Sequence, residues 1–389
     1  MKILVALTYY RPWVSGLTIY VERLSRNLAA RGHHVTILTS QFDKDLPREE
    51  TIDGVHILRV PVAFRVSKGV IMPSIGFEAT RQVLKHDVIS IHLPQLDAWG
   101  IALRGRLLGK PTILTYHCDL RLPKGLVNVV ANQVVGVANR LAAWFSNCVV
   151  AYTEDFAVHS PFLSRYLHKL QVISPPVEVT KPSKEKVQAF AEAHVKDHSP
   201  VIGIAARLAT EKGVEYLLGA MEQILAVYPQ ALVLFAGQHE DVLGESEYRN
   251  RLQPLFDTYK DHWHFLGVLP PEEMASFYQV CDVTVLPSVN STESFGLVQI
   301  ESMICETPVV ASNLPGVRQP VMITGMGKVV PLRDSAAIGD AIVEILASPQ
   351  AFTSDPERIE GQFSPMLTAQ RYEELFQELL HPKGTSSST

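Results

Sequence analysis

Short apolar runs alternate with stretches of helical period along almost the whole of this sequence, and the alternation breaks only once. Residues 2–8 read as a buried strand, followed by a helix near 18–31 with Leu17, Val21, Leu24 and Leu28 on one face. Gly32 is placed to stop that helix, because glycine takes the left-handed turn beyond a C-cap without steric cost. Further strands are expected at 34–39, 54–60, 87–92, 111–117, 147–153 and 169–174, with helices at 97–109, 125–146 and 155–167. Residues 174–200 then hold Ser-Pro-Pro, a lysine-rich stretch and one short polar helix, the composition of a hinge. Beyond it the alternation resumes, with strands at 200–207, 231–237, 262–268, 282–287, 307–312 and 327–330. The intervening helices are expected near 213–228, 246–259, 271–280, 296–305 and 334–348, and a last amphipathic helix at 366–380.

Strands separated by helices pair in parallel, with helices covering both faces of the sheet. The fold class is therefore α/β: two Rossmann-like, doubly wound domains, which 389 residues comfortably supply. In such sheets ligands bind outside the strand C-termini, so the two domains are expected to face a common cleft, one holding a donor and the other an acceptor.

Charge is divided unevenly. Residues 1–178 carry 20 Lys+Arg against 13 Asp+Glu, whereas 179–389 carry 15 against 27. The net −5 argues against general nucleic-acid binding, while the first half could favour an anionic partner. Cys118, Cys148, Cys281 and Cys305 form no CxxC pair and read as buried thiols of a reducing cytoplasm. Ile3–Leu7 is too short for a targeting segment, and residues 125–146 are too polar for a spanning helix, so the protein is expected to be cytoplasmic.

The first loop, Tyr9 to Thr18, has one glycine instead of a G-x-G-x-x-G turn, which disfavours a dinucleotide cofactor, and no P-loop motif occurs. Gly16 could be a plain turn residue, or could let a phosphate approach the N-terminus of the first helix. Asp43-Lys44-Asp45 has the acid-x-acid form of a metal site but lies in a polar loop, so no metal is assigned.

The most informative segment is Pro287 to Glu301, a strand end, a polar loop and a helix entered around Gly296. Glu293 lies in the loop and Glu301 one to two turns into the helix, with the N–H groups of Ser294, Phe295, Gly296 and Leu297 between them as an anion nest. Two carboxylates flanking a phosphate cradle suit ribose, diphosphate and hexose. Arg207 ends one strand and Lys212 begins the next helix, so two cations can neutralise a diphosphate leaving group.

Together with the opening Gly16 to Thr39 pattern (…L-x-x-R-G-H-x-V-x-x-L-T), Thr115-Tyr116-His117 and Phe265-Leu266-Gly267, these motifs resemble the retaining glycosyltransferases of family 4, with the GT-B fold, over nearly the whole length. The resemblance implies a first domain over 1–178 on the acceptor side, to which a helix at 366–381 returns. It also implies a donor domain over 198–365, and residues 384–389 are expected to be a disordered tail. It implies that Arg207 and Lys212 bind the diphosphate, Glu293 the donor sugar and Glu301 the ribose. Phe295, Gly296 and Leu297 would contact phosphates and sugar through their backbones, with Val268 near the base, Gly16 near the phosphates and His117 facing the sugar. Without the resemblance, His117 reads more readily as a core-edge histidine bonded to backbone. The implied reaction is hexosyl transfer with retention from a UDP- or GDP-sugar, without a metal cofactor, in glycolipid, cell-envelope or polysaccharide synthesis. Ser15-Gly16 and Gln319 depart from the family pattern of paired glycines and an acid.

Basic segments at 61–81 (Arg65, Lys68, Arg81) and 121–140 (Arg121, Lys124, Arg140) are interleaved with apolar residues. They are compatible with peripheral contact to anionic membrane at the inner face of the cell membrane, or with solvated charge around a core helix. The acceptor is expected to be a sugar or a lipid-linked sugar. The rival readings are a sugar-nucleotide epimerase or hydrolase of the same fold, and a hinged sugar-binding protein.

Overall fold

The computed structural model describes residues 1–66, 69–119, 126–242 and 244–381. The chain divides into two units, Met1–Pro176 with Phe363–Thr389, and Val177–Gln362. The first begins with β1 (Lys2–Ala6), α1 (Gly16–Ala30), β2 (His34–Gln41), β3 (Glu49–Ile52), β4 (Val55–Pro61), β5 (Phe64–Val66), β6 (Gly69–Ile71) and α2 (Ile75–Lys85). It continues through β7 (Val88–Leu93), α3 (Ala98–Leu107), β8 (Thr112–Tyr116), α4 (Leu126–Phe145), β9 (Cys148–Ala151), α5 (Glu154–His159) and β10 (Leu170–Val172). Among the described residues its main sheet runs β10-β9-β8-β7-β1-β2-β4-β3, parallel except for β3. The order in which successive strands are added reverses between the parallel neighbours β1 and β7, which places the β1–α1 loop at a switch point of the sheet.

Ser15 starts α1 with a capping box to Thr18, and Gly32 at φ +87 follows its C-cap. Helix α5 stops at His159, because Pro161 drives Ser160 into extended backbone (ψ 127) and only short 3₁₀ turns follow; the helix expected to 167 is thus shorter. Strand β3, the β5–β6 hairpin and α2 were not evident in the alternation.

The second unit contains α6 (Lys184–His194), β11 (Val201–Ala205), α7 (Val214–Val227), β12 (Leu232–Ala236), α8 (Ser246–Thr258), β13 (Trp263–Gly267), α9 (Pro271–Val280) and β14 (Val283–Leu286). It is completed by α10 (Leu297–Ile304), β15 (Val309–Ser312), α11 (Gln319–Thr324), β16 (Gly327–Val330), α12 (Ser335–Ala347) and most of α13 (Pro356–Phe363). Its sheet, β13-β12-β11-β14-β15-β16, is parallel throughout, with the order reversing at β11/β14. Strand residues Ile202, Ile204, Val233, Phe235, Val283 and Val285 are buried in one core with Leu217, Met221, Ile224, Ile338 and Ile342 of α7 and α12. Truncating Phe235 there would cost about 3–5 kcal/mol, so the platform beneath the β11 and β14 loops is stiff.

The last helix, α14 (Pro365–Leu380), belongs to the first unit, where fully buried Tyr372 bridges Tyr20 (OH to OH, 2.9 Å) and Thr115 Oγ1 (2.7 Å). No helix among the described residues is long and apolar enough to cross a membrane.

Candidate active site

Two loops leave the C-terminal ends of adjacent strands β11 and β14, at the switch point of the second sheet, and meet. Gly213, at φ +64, makes the meeting possible: a Cβ there would collide with the Pro287 carbonyl. Val289 N–H donates to the Glu211 carbonyl at 3.0 Å. Across this junction Lys212 Nζ donates to Glu293 Oε2 at 2.6 Å, with side chains only 20% and 18% exposed. Lys212 has three N–H donors, so this bond leaves capacity for a phosphate. Arg207 is half exposed and donates to Glu211 at 3.0 Å, four residues along, and so is tethered on the same loop. Ser288 and Ser291 bury hydroxyls that have no hydrogen-bond partner.

The β14 loop enters α10 through Gly296 at φ +81, where a Cβ would collide with Leu286 and approach Gln299 Nε2 to 2.8 Å. The Gln299 amide donates to the Phe295 carbonyl (2.7 Å) and the Val317 carbonyl (2.9 Å), fixing the buried Phe295 turn. Ser294 is also buried, and Leu297 opens the helix. Glu301 accepts from Tyr278 OH at 3.1 Å, and burial first, then this carboxylate, raises the Tyr278 pKa and keeps it a donor. The structure thus brings Lys212 and Glu293 together across the junction, with Ser294–Leu297 and Glu301 following along the same loop and helix, while Arg207 stands on the β11 loop turned to Glu211. Val268 is 70% exposed and follows β13, after Gly267 at φ +72.

In the first unit Gly16 is the first residue of α1. Its φ is not left-handed, and a Cβ there would meet nothing within 4 Å, so neither backbone nor packing requires glycine. His117 is buried: Nε2 bonds His92 Nδ1 at 2.9 Å, Nδ1 bonds the Tyr152 hydroxyl, and Tyr20 packs edge-on at 4.9 Å. Burial, and secondarily His92, hold the His117 pKa well below the ordinary value, so the ring is neutral. Both of its nitrogens are occupied within the unit. Of the remaining basic residues, Arg65 bonds the Phe42 carbonyl, Arg81 lies 3.9 Å from Glu78 and Arg140 is exposed; Lys68, Arg121 and Lys124 lie outside the described residues, as do 384–389. Asp45 N–H donates to Asp43 Oδ1 at 3.1 Å, closing a turn, and among the described residues no three His, Cys, Asp or Glu side chains form a metal-holding group.

Sequence reasoning missed Tyr278, His92, Tyr152 and Thr210. Thr210 anchors the cation loop by donating its N–H (3.0 Å) and Oγ1 (2.8 Å) to Glu245. These pairings are made at 23 to 35 residues' separation, and no local spacing marks them.

Two parallel α/β units with a cation–carboxylate pair at the switch point of the second are the frame of a sugar-transferring enzyme. Residues 186–360 match the model of glycosyl transferases group 1, and residues 15–180 match the glycosyl transferase 4-like domain. The chain belongs to the family 4 glycosyltransferases and is a hexosyltransferase. It is 26% identical to a D-inositol 3-phosphate glycosyltransferase of Segniliparus rotundus, covering 95% of this chain and 82% of that protein. It is 25% identical to the phosphatidyl-myo-inositol mannosyltransferase of Mycobacterium leprae, covering 85% and 83%. In fold it is similar to the sucrose-phosphate synthase of Thermosynechococcus elongatus (24% identity, TM-score 0.74, 98% of this chain and 100% of that one). It is likewise similar to Anabaena HepE in complex with UDP-glucose (18% identity, TM-score 0.75, 97% and 100%). The fold is thus the two-domain GT-B arrangement of α/β units that these motifs imply.

Proposed function

We propose that the second unit binds a UDP- or GDP-hexose and that the enzyme transfers the hexose, with retention, to a hydroxyl of a sugar or lipid-linked acceptor in glycolipid, cell-envelope or polysaccharide synthesis. The observation that carries this reading is the Lys212–Glu293 pair at the β11/β14 switch point, beside the Gly296 entry to α10. A diphosphate at the α10 N-terminus would meet outward N–H dipoles and the free donors of Lys212 and Arg207. Glu293, positioned by Lys212, would hold donor-sugar hydroxyls, Glu301 the ribose and Val268 the base. Gly16 would leave room for phosphate beside α1.

As the anomeric C–O bond breaks, its electron pair passes to the diphosphate, where Lys212 and Arg207 stabilise the charge. The acceptor oxygen bonds the same sugar face and gives its proton to a leaving phosphate oxygen. We assign this charge stabilisation to the two cations without a metal. His117 is neutral, and a sugar hydroxyl would bond its ring only by displacing His92 or Tyr152. HepE was solved with UDP-glucose, and relatives are named for inositol phosphate and mannosyl transfer, which supports this substrate class. Contact with anionic membrane through the basic first unit, at the inner face of the cell membrane, belongs to the same proposal.

The test is thermal shift with UDP-glucose, UDP-N-acetylglucosamine and GDP-mannose. One of them should raise Tm by several degrees at 100 Kd, and no shift with any refutes donor binding. Incubating that donor alone should leave it unchanged over the time in which transfer occurs; isomerised or hydrolysed donor at the full rate would favour the epimerase or hydrolase.

A further inference from the structure

Helix α4 carries one charged side chain, Arg140, in 20 residues. A surface helix ordinarily turns polar residues outward, yet Val134, Val137 and Trp144 are 51%, 52% and 63% exposed. With Leu141 they recur at i, i+3, i+7 and i+10, a single stripe. Beside this stripe lies a groove of about 550 Å³ lined by Leu96, Trp99, Val134, Val137 and Leu141, with Gln133 contributing its one polar side chain. That volume lies within the roughly 300–1,000 Å³ of small-ligand sites. Leu96 stands three residues beyond β7, so the groove begins near the C-terminal edge of the sheet.

Past Leu141, around the last turns of α3 and α4, four cations gather. Lys169 Nζ donates to the Ala143 carbonyl and to the Ser146 carbonyl (2.9 Å), Arg106 is close enough to lower the Lys169 pKa, and Arg140 and Arg165 both act on Tyr166. None of the four forms an ion pair among the described residues. Exposed aliphatic and indole surface next to unpaired cations is the chemistry of a side that lies on anionic lipid: the apolar groups enter the acyl boundary while the cations meet phosphates.

We propose that this α3–α4 face docks on an anionic bilayer, with one hydrocarbon chain of a lipid lying in the groove and the four cations against lipid phosphates. It deepens the membrane contact proposed above and is independent of the donor chemistry. The test is co-sedimentation of the full chain with phosphatidylglycerol and phosphatidylcholine vesicles, with the sugar-nucleotide thermal shift measured in parallel. Binding is expected to the anionic vesicles only and to fall with salt. Each removed cation should weaken it about fivefold, so Arg140→Glu/Arg165→Glu should lower partitioning at least about 25-fold. Val137→Asp should also abolish it, and lipids brominated in the acyl chain should quench tryptophan fluorescence less in Trp99→Phe/Trp144→Phe than in the wild type. A donor shift without anionic-vesicle binding overturns this proposal and leaves the donor site standing; vesicle binding without any donor shift does the reverse. Unchanged binding in both the charge-reversal and Val137→Asp variants overturns it, as does a concentration-dependent dimer that Val137→Asp dissolves in the absence of vesicle binding.

Discussion

Replacing Lys212 by alanine removes one ammonium from the junction of the β11 and β14 loops and leaves Glu293 without its 2.6 Å partner. Both side chains keep only about a fifth of their surface in solvent, so the stability cost lies between that of an exposed pair and that of a buried one, about 2 kcal/mol. For a unit of this size that shift is about 4–8 °C in Tm. The catalytic cost is set by a different quantity, the charge that develops on the diphosphate in the transition state. Removing one preorganised donor from such a site costs about 2.7–4 kcal/mol, or 10² to 10³ in kcat. Turnover at saturating donor should therefore fall 100- to 1,000-fold while the melting curve moves only by that amount. The Lys212→Ala/Glu293→Ala double variant should be less impaired than the product of the singles, because each single already disables the pair. Initial rates, donor binding and melting on the four proteins settle it. A near wild-type kcat in Lys212→Ala, or strictly multiplicative singles, would refute the reasoning; so would a rate loss that merely follows a Tm fall of 10 °C or more.

Two glycines should behave oppositely. Gly16→Ala should leave stability unchanged or raise it by up to about 1 kcal/mol, from helix propensity, while lowering transfer; Gly296→Ala, strained at φ +81 and blocked by Leu286, should unfold at lower urea. An unaltered rate in Gly16→Ala would remove the phosphate from that end of α1. Burial lowers the His92 pKa to about 3 and the His117 pKa well below its ordinary value. The unfolded chain therefore takes up protons first on acidification. The stability these rings contribute is complete above about pH 6.5 and declines below it, by about 2 kcal/mol per histidine at pH 5. Urea titrations at pH 7 and 5 should show this fall, and His92→Gln should halve it; equal stability at the two pH values would contradict the buried pair. Because Arg207 and Lys212 are assigned the charge stabilisation, EDTA should leave the transfer rate unaltered, and a rate restored only by a divalent ion would overturn that assignment.

The alternation of strands and helices was legible because a parallel sheet buries both its faces. Such strands, like Ile3–Ala6 or Val201–Ile204, become nearly unbroken apolar runs. The polar edge strand Glu49–Ile52 has no such signature, since Glu50 alone of its four residues is half-buried and the strand lies at the edge of the sheet. At the site, the spacing of Glu293 and Glu301 and the placement of Arg207 and Lys212 at a strand end and a helix start were readable locally. What each group touches was not. Lys212 finds Glu293 across 81 residues, Arg207 turns instead to Glu211, and the His117 ring is claimed by His92 and Tyr152. These outcomes depend on which strands are neighbours, and pattern along the chain does not encode neighbours directly.

Tyr372 has a consequence for biosynthesis. Its hydroxyl closes a buried polar chain with Tyr20, 352 residues earlier. A ribosome delivering about 5–20 residues per second therefore releases the first unit some ten to forty seconds before the helix that completes its interior. In that interval Tyr20 and Thr115 lack their partner, while the second unit, continuous in sequence, emerges and can close on itself. The nascent first unit thus waits with an incomplete interior through that interval, and it matures only once α14 has been made.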